Sequence, residues 1–146
     1  MIKNDFNLTR HFKFSELTVT SSSERLQKLN RNVANEEDIY KLALFAEQVR
    51  VFLNSPMIIT SGYRCTVLNK NVGGSATSQH LKSQAIDFVP RNMTIEEAYN
   101  LLQKSPLVYG QLIIEESKGK KWIHVSMGDK KENLIYVDGK YHKIGE

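Results

Sequence analysis

The feature that most constrains the fold is a change of hydrophobic period along the chain. The polar stretch Ser21–Asn35, with Leu26 and Leu29 as expected core anchors, leads into a long helical pattern. Asn35 is a suitable helix N-cap followed by three acidic residues, and Asn54-Ser55-Pro56 ends the pattern. Apolar residues recur between them at three- and four-residue steps, which predicts one buried stripe of an amphipathic helix: Ile39, Leu42, Ala46, Val49 and Leu53.

The later part of the chain has the pattern of β-strands. Asp138-Gly139 is the favoured two-residue turn of a hairpin. Short apolar runs at Met57–Thr60 and Gln84–Val89 predict two earlier strands, and a capping box opens a helix from Thr94 to about Gln103. The later strands are predicted at Gln111–Glu115, Trp122–Met127, Asn133–Val137 and Lys140–Ile144. Helices mostly first and an antiparallel sheet later indicate an α+β fold and not alternating βαβ units.

Length and composition limit the classes of protein. The chain has 146 residues, 40% hydrophobic and 25% charged, so we predict one globular domain over 1–146 and expect a monomer. No apolar run approaches the roughly 18–20 residues of a membrane span, and the first residues lack the apolar stretch of a secretory signal. The single cysteine, Cys65, excludes an internal disulfide and a Cys-rich zinc finger, so a zinc site would need His and carboxylate ligands.

The formal net charge of +4 comes from scattered basic residues. The densest groups, Lys118–Lys121 and Lys130-Lys131, have the appearance of solvated loop tips. A positive charge suits an anionic polymer such as the bacterial wall, or nucleic acid. Because no aromatic-rich nucleic-acid motif accompanies the charge, we expect no nucleic-acid partner.

Three residues combine metal-binding side chains with unusual surroundings. His80 lies near the end of Ser61–Ser83, a Gly- and Ser-rich segment that is predicted to be irregular. Asp87 lies inside an apolar strand, where an unpaired carboxylate would be costly, and His124 also lies in a strand. Three such ligands leave a fourth position for water, as in catalytic zinc sites. From the spacing alone, a chance occurrence of these residues stays an alternative.

Eight short motifs follow one another along most of the chain. They are His11–Leu17 (HFKFSEL), Ser61–Arg64 (SGYR), Leu68-Asn69, Val72–Ser75 (VGGS), Ser78–Leu81 (SQHL), Ala85–Asp87 (AID), Gln111–Glu115 (QLIIE) and Trp122–Ser126 (WIHVS). Together they resemble the M15 family of zinc peptidases, notably its D-alanyl-D-alanine carboxypeptidase branch. The family fold, shared with the hedgehog signalling domain, packs helices on a small antiparallel sheet that bears a zinc groove. The resemblance implies one zinc ion per chain, held by His80, Asp87 and His124.

The resemblance also implies catalytic roles. Arg64 matches the family arginine, whose guanidinium would face the oxyanion or hold a substrate carboxylate. Several members place a glutamate three residues before the last zinc histidine, where this chain has Lys121, and others place a histidine where it has Trp122. The nearest carboxylates are those of Glu115 and Glu116.

The predicted strands Gln111–Glu115 and Trp122–Met127 form a hairpin, and its register decides between these carboxylates. With a four-residue loop, Ser117–Lys120, Glu115 pairs with Trp122, and alternation puts both on the face of His124. A five-residue loop would point Glu115 away. We adopt the first register and predict Glu115 as the general base, with a solvated glutamate as the alternative.

The remaining candidates are substrate-binding residues and turn residues. Ser78 would bind substrate or brace the turn of His80, and Tyr63 and Gln111 complete the predicted substrate-binding set. Gly73-Gly74 is predicted to supply positive φ angles or a close backbone approach. Ser83 stands where the family usually has glycine.

The leading hypothesis is therefore a zinc peptidase acting on peptidoglycan stem peptides, as a D-Ala-D-Ala carboxypeptidase or a related endopeptidase. The alternative is a non-catalytic, zinc-containing module of the same fold that binds the cell wall or another partner. The absence of an export signal fits a phage lysin, or an exported protein whose leader is missing from this sequence.

Overall fold

The computed structural model describes residues 5–143 of the chain. Its strands form one sheet in the order β1-β2-β4-β3-β5-β6. The helices are α1 (Glu24–Val33), α2 (Glu36–Leu53), α3 (Thr66–Asn71) and α4 (Ile95–Lys104), with 3-10 turns at Glu16–Thr18 and Gln79–Lys82. The strands are β1 (Met57–Ser61), β2 (Ala85–Pro90), β3 (Gln111–Ser117), β4 (Lys120–Ser126), β5 (Glu132–Val137) and β6 (Lys140–Lys143). The predicted α+β class is confirmed; Ile144 of the last predicted strand lies outside the described residues.

The predicted long helix is confirmed as α2. The Asn35 side chain accepts a hydrogen bond of 3.0 Å from the backbone N–H of Asp38, as an N-cap does. All five residues of the predicted stripe are buried. The helix ends at Leu53, just before Asn54-Ser55-Pro56.

The polar stretch before it contains a helix that the sequence did not predict. In α1, the Ser23 hydroxyl caps the first turn by accepting from the N–H of Leu26 at 3.1 Å. Leu26 and Leu29 are half-buried, and the buried residue of this helix is Asn30.

The segment Ser61–Ser83 is also more ordered than predicted, because α3 and the second 3-10 turn lie within it. Gly73 has a φ of 74°, as the sequence predicted for this pair. A Cβ at Gly74 would overlap the side-chain amide of Asn69, so the predicted close approach is confirmed as well.

The sheet differs from expectation in one respect. β3 pairs antiparallel with β4 but parallel with β5, so the sheet is mostly, not wholly, antiparallel. After β4 the chain turns back past the start of β3, where Lys131 and Glu132 donate to the carbonyls of Tyr109 and Gly110. This route brings β5 to the far side of β3, running in the same direction. The β5–β6 hairpin has the predicted Asp138-Gly139 turn.

Contacts divide the described chain into two compact units, whose boundaries fall inside α2, β1 and β2. One unit contains the chain up to Glu47 together with Ile59–Ile86, and the other contains Gln48–Ile58 and the chain from Asp87 onward. The prediction of a single domain stays a prediction. No helix within residues 5–143 is both long and apolar enough to cross a membrane.

In the second unit, α4 packs against one face of β3 and β4. The Tyr99 hydroxyl donates to the carbonyl of Leu112, and Lys121 forms a 2.7 Å ion pair with Glu96 of this helix. Side chains alternate between the faces of a strand. The opposite face of β3 and β4 therefore bears Glu115 and His124.

Candidate metal centre

His80 is held by hydrogen bonds on two sides. Its N–H donates to the Ser78 hydroxyl at 3.2 Å, which caps the 3-10 turn, and its ring Nδ1 lies 2.7 Å from the carbonyl oxygen of Gly62. A carbonyl only accepts, so Nδ1 carries the hydrogen and Nε2 is the ring nitrogen with a lone pair. A backbone partner of this kind orients histidine ligands in metal sites. The His80 side chain is buried.

Gly62, whose carbonyl meets the His80 ring, packs closely against the backbone of Leu17. A Cβ at this position would lie 2.9 Å from the carbonyl carbon of Leu17 and closer still to its oxygen. The next residue, Tyr63, donates its N–H to the same carbonyl at 2.8 Å. The glycine of the SGYR motif therefore lets two backbone segments touch.

Asp87 and His124 form a pair in the second unit. β2 presents Asp87 and β4 presents His124, and Oδ1 of the aspartate lies 2.9 Å from Nδ1 of the histidine. Their side chains are 13% and 10% exposed. The carboxylate inside the apolar strand thus has the partner that the sequence analysis required.

Glu115 lies on the predicted face. β3 and β4 pair Glu115 with Trp122 and Glu116 with Lys121, so the predicted register is confirmed. The loop is shorter than predicted, because Ser117 and Lys120 also pair and only Lys118-Gly119 forms the turn. Because the loop is shorter by two residues, its residue number stays even and each strand residue keeps its predicted face.

Trp122 and His124 lie close to the Glu115 carboxylate. Trp122 donates its indole N–H to Oε1 at 2.8 Å, and the same oxygen lies 4.0 Å from Nδ1 of His124. The indole contact was not predicted, although both residues were expected on this face. A donor aimed at a carboxylate that is 16% exposed fixes its orientation.

The three predicted metal ligands lie together. One ligand atom from each of His80, Asp87 and His124 lies within 4.8 Å of the other two. Ligand atoms around a tetrahedral zinc ion are separated by roughly 3.3 Å, given bond lengths of about 2.0–2.2 Å. Two imidazoles and one carboxylate with little exposure are also a usual zinc donor set. The residues present therefore fit the ion.

Arg64 and Ser78 are tied to the segment that carries His80. The N–H of Arg64 donates to the carbonyl of His80 at 3.1 Å, and its guanidinium donates to the Ser78 hydroxyl at 3.1 Å. Ser78 therefore does brace the turn of His80, which was one of its two predicted roles. Its other role, substrate binding, stays a prediction.

Asn30 is a positioning residue that the sequence analysis missed. Its amide donates to the carbonyls of Thr18 at 2.9 Å and Tyr63 at 2.8 Å, and it accepts from the N–H of Cys65 at 2.7 Å. It thereby holds the residues on both sides of Arg64. The only signal in the sequence is its place four residues after Leu26, on the inward side of an unrecognised helix.

Tyr63 and Gln111 have structural partners. Partial burial raises the pKa of Tyr63, with Cys65 and Asp38 adding to the effect. Gln111 donates its side-chain amide to Glu132 at 2.7 Å, across the β3–β5 pairing. The contacts of these two residues do not join them to the three metal-ligand candidates, so their role in substrate binding stays a prediction.

Two departures from the family pattern have visible consequences. Ser83 has φ 56° and ψ 40°, a left-handed conformation that favours glycine, at the end of the 3-10 turn of His80. Lys121 lies on the face of α4, where the hydrogen bond from Lys121 to Glu96 raises the pKa of the lysine. It stays protonated at neutral pH and cannot act as a base.

The family relationship follows from comparison with known proteins. A family model described as Peptidase M15 matches residues 10–126, which is most of the chain. A search of curated proteins finds no match. The matched range includes every metal-ligand candidate and Glu115, and M15 peptidases depend on zinc. The chain belongs to the M15 family of peptidases.

Proposed function

We propose that the protein is a zinc-dependent peptidase that hydrolyses a peptide bond in the stem peptides of bacterial peptidoglycan, as a D-Ala-D-Ala carboxypeptidase or a related endopeptidase. The observation that carries the proposal is the proximity of His80, Asp87 and His124 in a chain of the M15 family. His80 would bind through Nε2, with the other two completing the ligand set. When bound, zinc acts as a Lewis acid on the substrate carbonyl and lowers the pKa of water.

Glu115 acts as the general base in this proposal. Its carboxylate accepts the proton of the attacking water and returns it to the leaving amine. Two contacts support the role: the indole N–H of Trp122 fixes one carboxylate oxygen, and that oxygen lies 4.0 Å from a ring nitrogen of His124. The reacting water would therefore meet a base whose position is set before substrate arrives.

Arg64 supplies positive charge for the substrate. Its guanidinium stabilises the oxyanion that forms on the attacked carbonyl, or binds the terminal carboxylate of a stem peptide. The hydrogen bonds to Ser78 and His80 anchor it to the segment of a metal ligand. The net charge of +4 also suits an anionic wall polymer, so we place the site of action at the cell wall.

The test is mass spectrometry of purified peptidoglycan fragments after incubation with zinc-loaded protein, with a chelated sample beside it. We expect products that need zinc, with loss of one alanine for a carboxypeptidase and split stem peptides for an endopeptidase. Glu115→Gln should abolish cleavage, and Glu116→Gln, a change on the opposite face of the same strand, should retain it. Cleavage by the Glu115→Gln variant would refute the assignment of the base.

One observation supports a second candidate function, a zinc-containing module that binds the wall without cutting it. Lys121 occupies the position at which several family members have a glutamate, and it is engaged by Glu96. This candidate predicts a protein that retains zinc and binds peptidoglycan, but that releases no products from fragments of Gram-negative or Gram-positive walls.

A further inference from the structure

Four side chains form a row across the face of the sheet that bears His124. Trp122 of β4 pairs with Glu115 of β3, Glu115 pairs with Tyr136 of β5, and Tyr136 pairs with Tyr141 of β6. Directly paired residues share one face of a sheet. The candidate base therefore has an indole on one side and two phenol rings on the other.

The two tyrosines form an open aromatic surface. Their ring centroids are 4.7 Å apart and the rings are inclined at 54°. Tyr141 is 60% exposed and Tyr136 is half-buried. The surface continues to Glu115, because Tyr136 pairs directly with Glu115 across the β3–β5 pairing.

These rings lie outside the part of the chain that the family model matches. The match ends at residue 126, whereas β5 begins at Glu132 and β6 ends at Lys143. β5 and β6 therefore lie beyond the matched range, at the sheet edge next to Glu115. A feature placed there is suited to setting substrate preference, since the ligand and base candidates all lie within the match.

We propose that Tyr136 and Tyr141 form a binding platform for the sugar rings of the glycan to which the stem peptide is attached, an inference that rests on the proposed function. Aromatic rings present an apolar face, and a tyrosine adds a polar hydroxyl. A pyranose ring is the matching ligand, with a C–H face that stacks on the ring and hydroxyl groups at its edge. An apolar peptide side chain would instead need an enclosed pocket, which a ring that is 60% exposed does not provide.

The distance across the sheet from Tyr141 to Glu115 agrees with such a substrate. Tyr141 lies two strands from Glu115, and strands are about 4.7–4.9 Å apart, so the separation is roughly 10 Å. An extended peptide spans about 3.3–3.6 Å per residue. A few residues of a stem peptide therefore reach from a sugar on the platform to a peptide bond beside Glu115.

The test compares two substrates that share one stem peptide, one carrying the wall disaccharide and one without sugar. For the unaltered protein we expect a higher kcat/KM on the sugar-bearing substrate. Tyr141→Ala should lower the ratio of the two kcat/KM values roughly tenfold. Tyr141→Phe, which keeps the ring, should retain the ratio, and so should Tyr40→Ala, which removes an exposed tyrosine of α2. An equal ratio in Tyr141→Ala and the unaltered protein would overturn the platform.

A binding measurement separates this inference from the proposed function. The peptide-free wall disaccharide is titrated into the isotopically labelled protein and followed by NMR. We expect the disaccharide to shift resonances of the unaltered protein and to bind the Tyr141→Ala variant about tenfold more weakly. This result supports the platform even if neither substrate is cleaved. Absence of binding, or equal binding by both proteins, overturns it even if both substrates are cleaved.

Discussion

Replacing Trp122 by phenylalanine should slow hydrolysis without emptying the metal site. The change keeps an aromatic ring on β4 and removes the indole N–H that lies 2.8 Å from Oε1 of Glu115. Hydrogen bonds to charged groups contribute about 1.5–3 kcal/mol. If this contribution is used to orient the base in the transition state, kcat falls by roughly 10- to 150-fold, at 1.36 kcal/mol for each factor of ten.

The assay measures kcat and KM on a stem-peptide substrate, with zinc content and thermal unfolding of each variant beside them. We expect kcat to fall while KM and bound zinc stay close to those of the unaltered protein, since Trp122 is not among the ligand candidates. In a Glu115→Gln background the same change should have little further effect, because the base it positions is gone. An unaltered kcat in Trp122→Phe would refute the reasoning, and so would an equal loss in both backgrounds.

Three further substitutions test local features of the structure. Ser83→Gly should raise the free energy of unfolding by about 1 kcal/mol in urea titrations, because serine is strained at φ 56°. Gly62→Ala should weaken zinc binding at least tenfold in a competition titration with a chelator, because its Cβ would displace the backbone from Leu17 and move the carbonyl that orients the His80 ring. Burial raises the pKa of Glu47, but hydrogen bonds from the Thr9–His11 segment outweigh it and lower the pKa below its usual value. The ionised Glu47 carboxylate therefore stabilises the fold above its unfolded-state pKa, and this effect is lost as pH falls through its folded-state pKa. Glu47→Gln should accordingly reduce the loss of stability measured between about pH 5 and pH 3.

The features that the sequence predicted correctly are those fixed by local chemistry. Asn35 and the acidic residues after it define the start of α2, and Asp138-Gly139 defines the last hairpin. The face of Glu115 was predicted even though the loop length was wrong. Side-chain direction in a hairpin depends only on whether the loop has an even or an odd number of residues.

The features that were missed depend on contacts between distant parts of the chain. α3 spans only six residues, Thr66–Asn71, too few for a helical period to be visible. The role of Asn30 arises because its amide meets the backbone at Tyr63 and Cys65, more than thirty residues away. The parallel β3–β5 pairing likewise follows from the route taken by the chain after β4, which no local pattern records.

The position of the carboxylate on β3 bears on whether the chain is an enzyme. Lys121 precedes His124 by three residues, so in the regular strand β4 the two side chains point to opposite faces. A glutamate at position 121 would meet α4, as the lysine does through Glu96, and would not reach the face of His124. Glu115 of the neighbouring strand does bring a carboxylate to this face, through its pairing with Trp122. The two candidate functions therefore make opposite predictions for Glu115: the peptidase needs the carboxylate that the hairpin brings to this face, and the zinc-containing module does not.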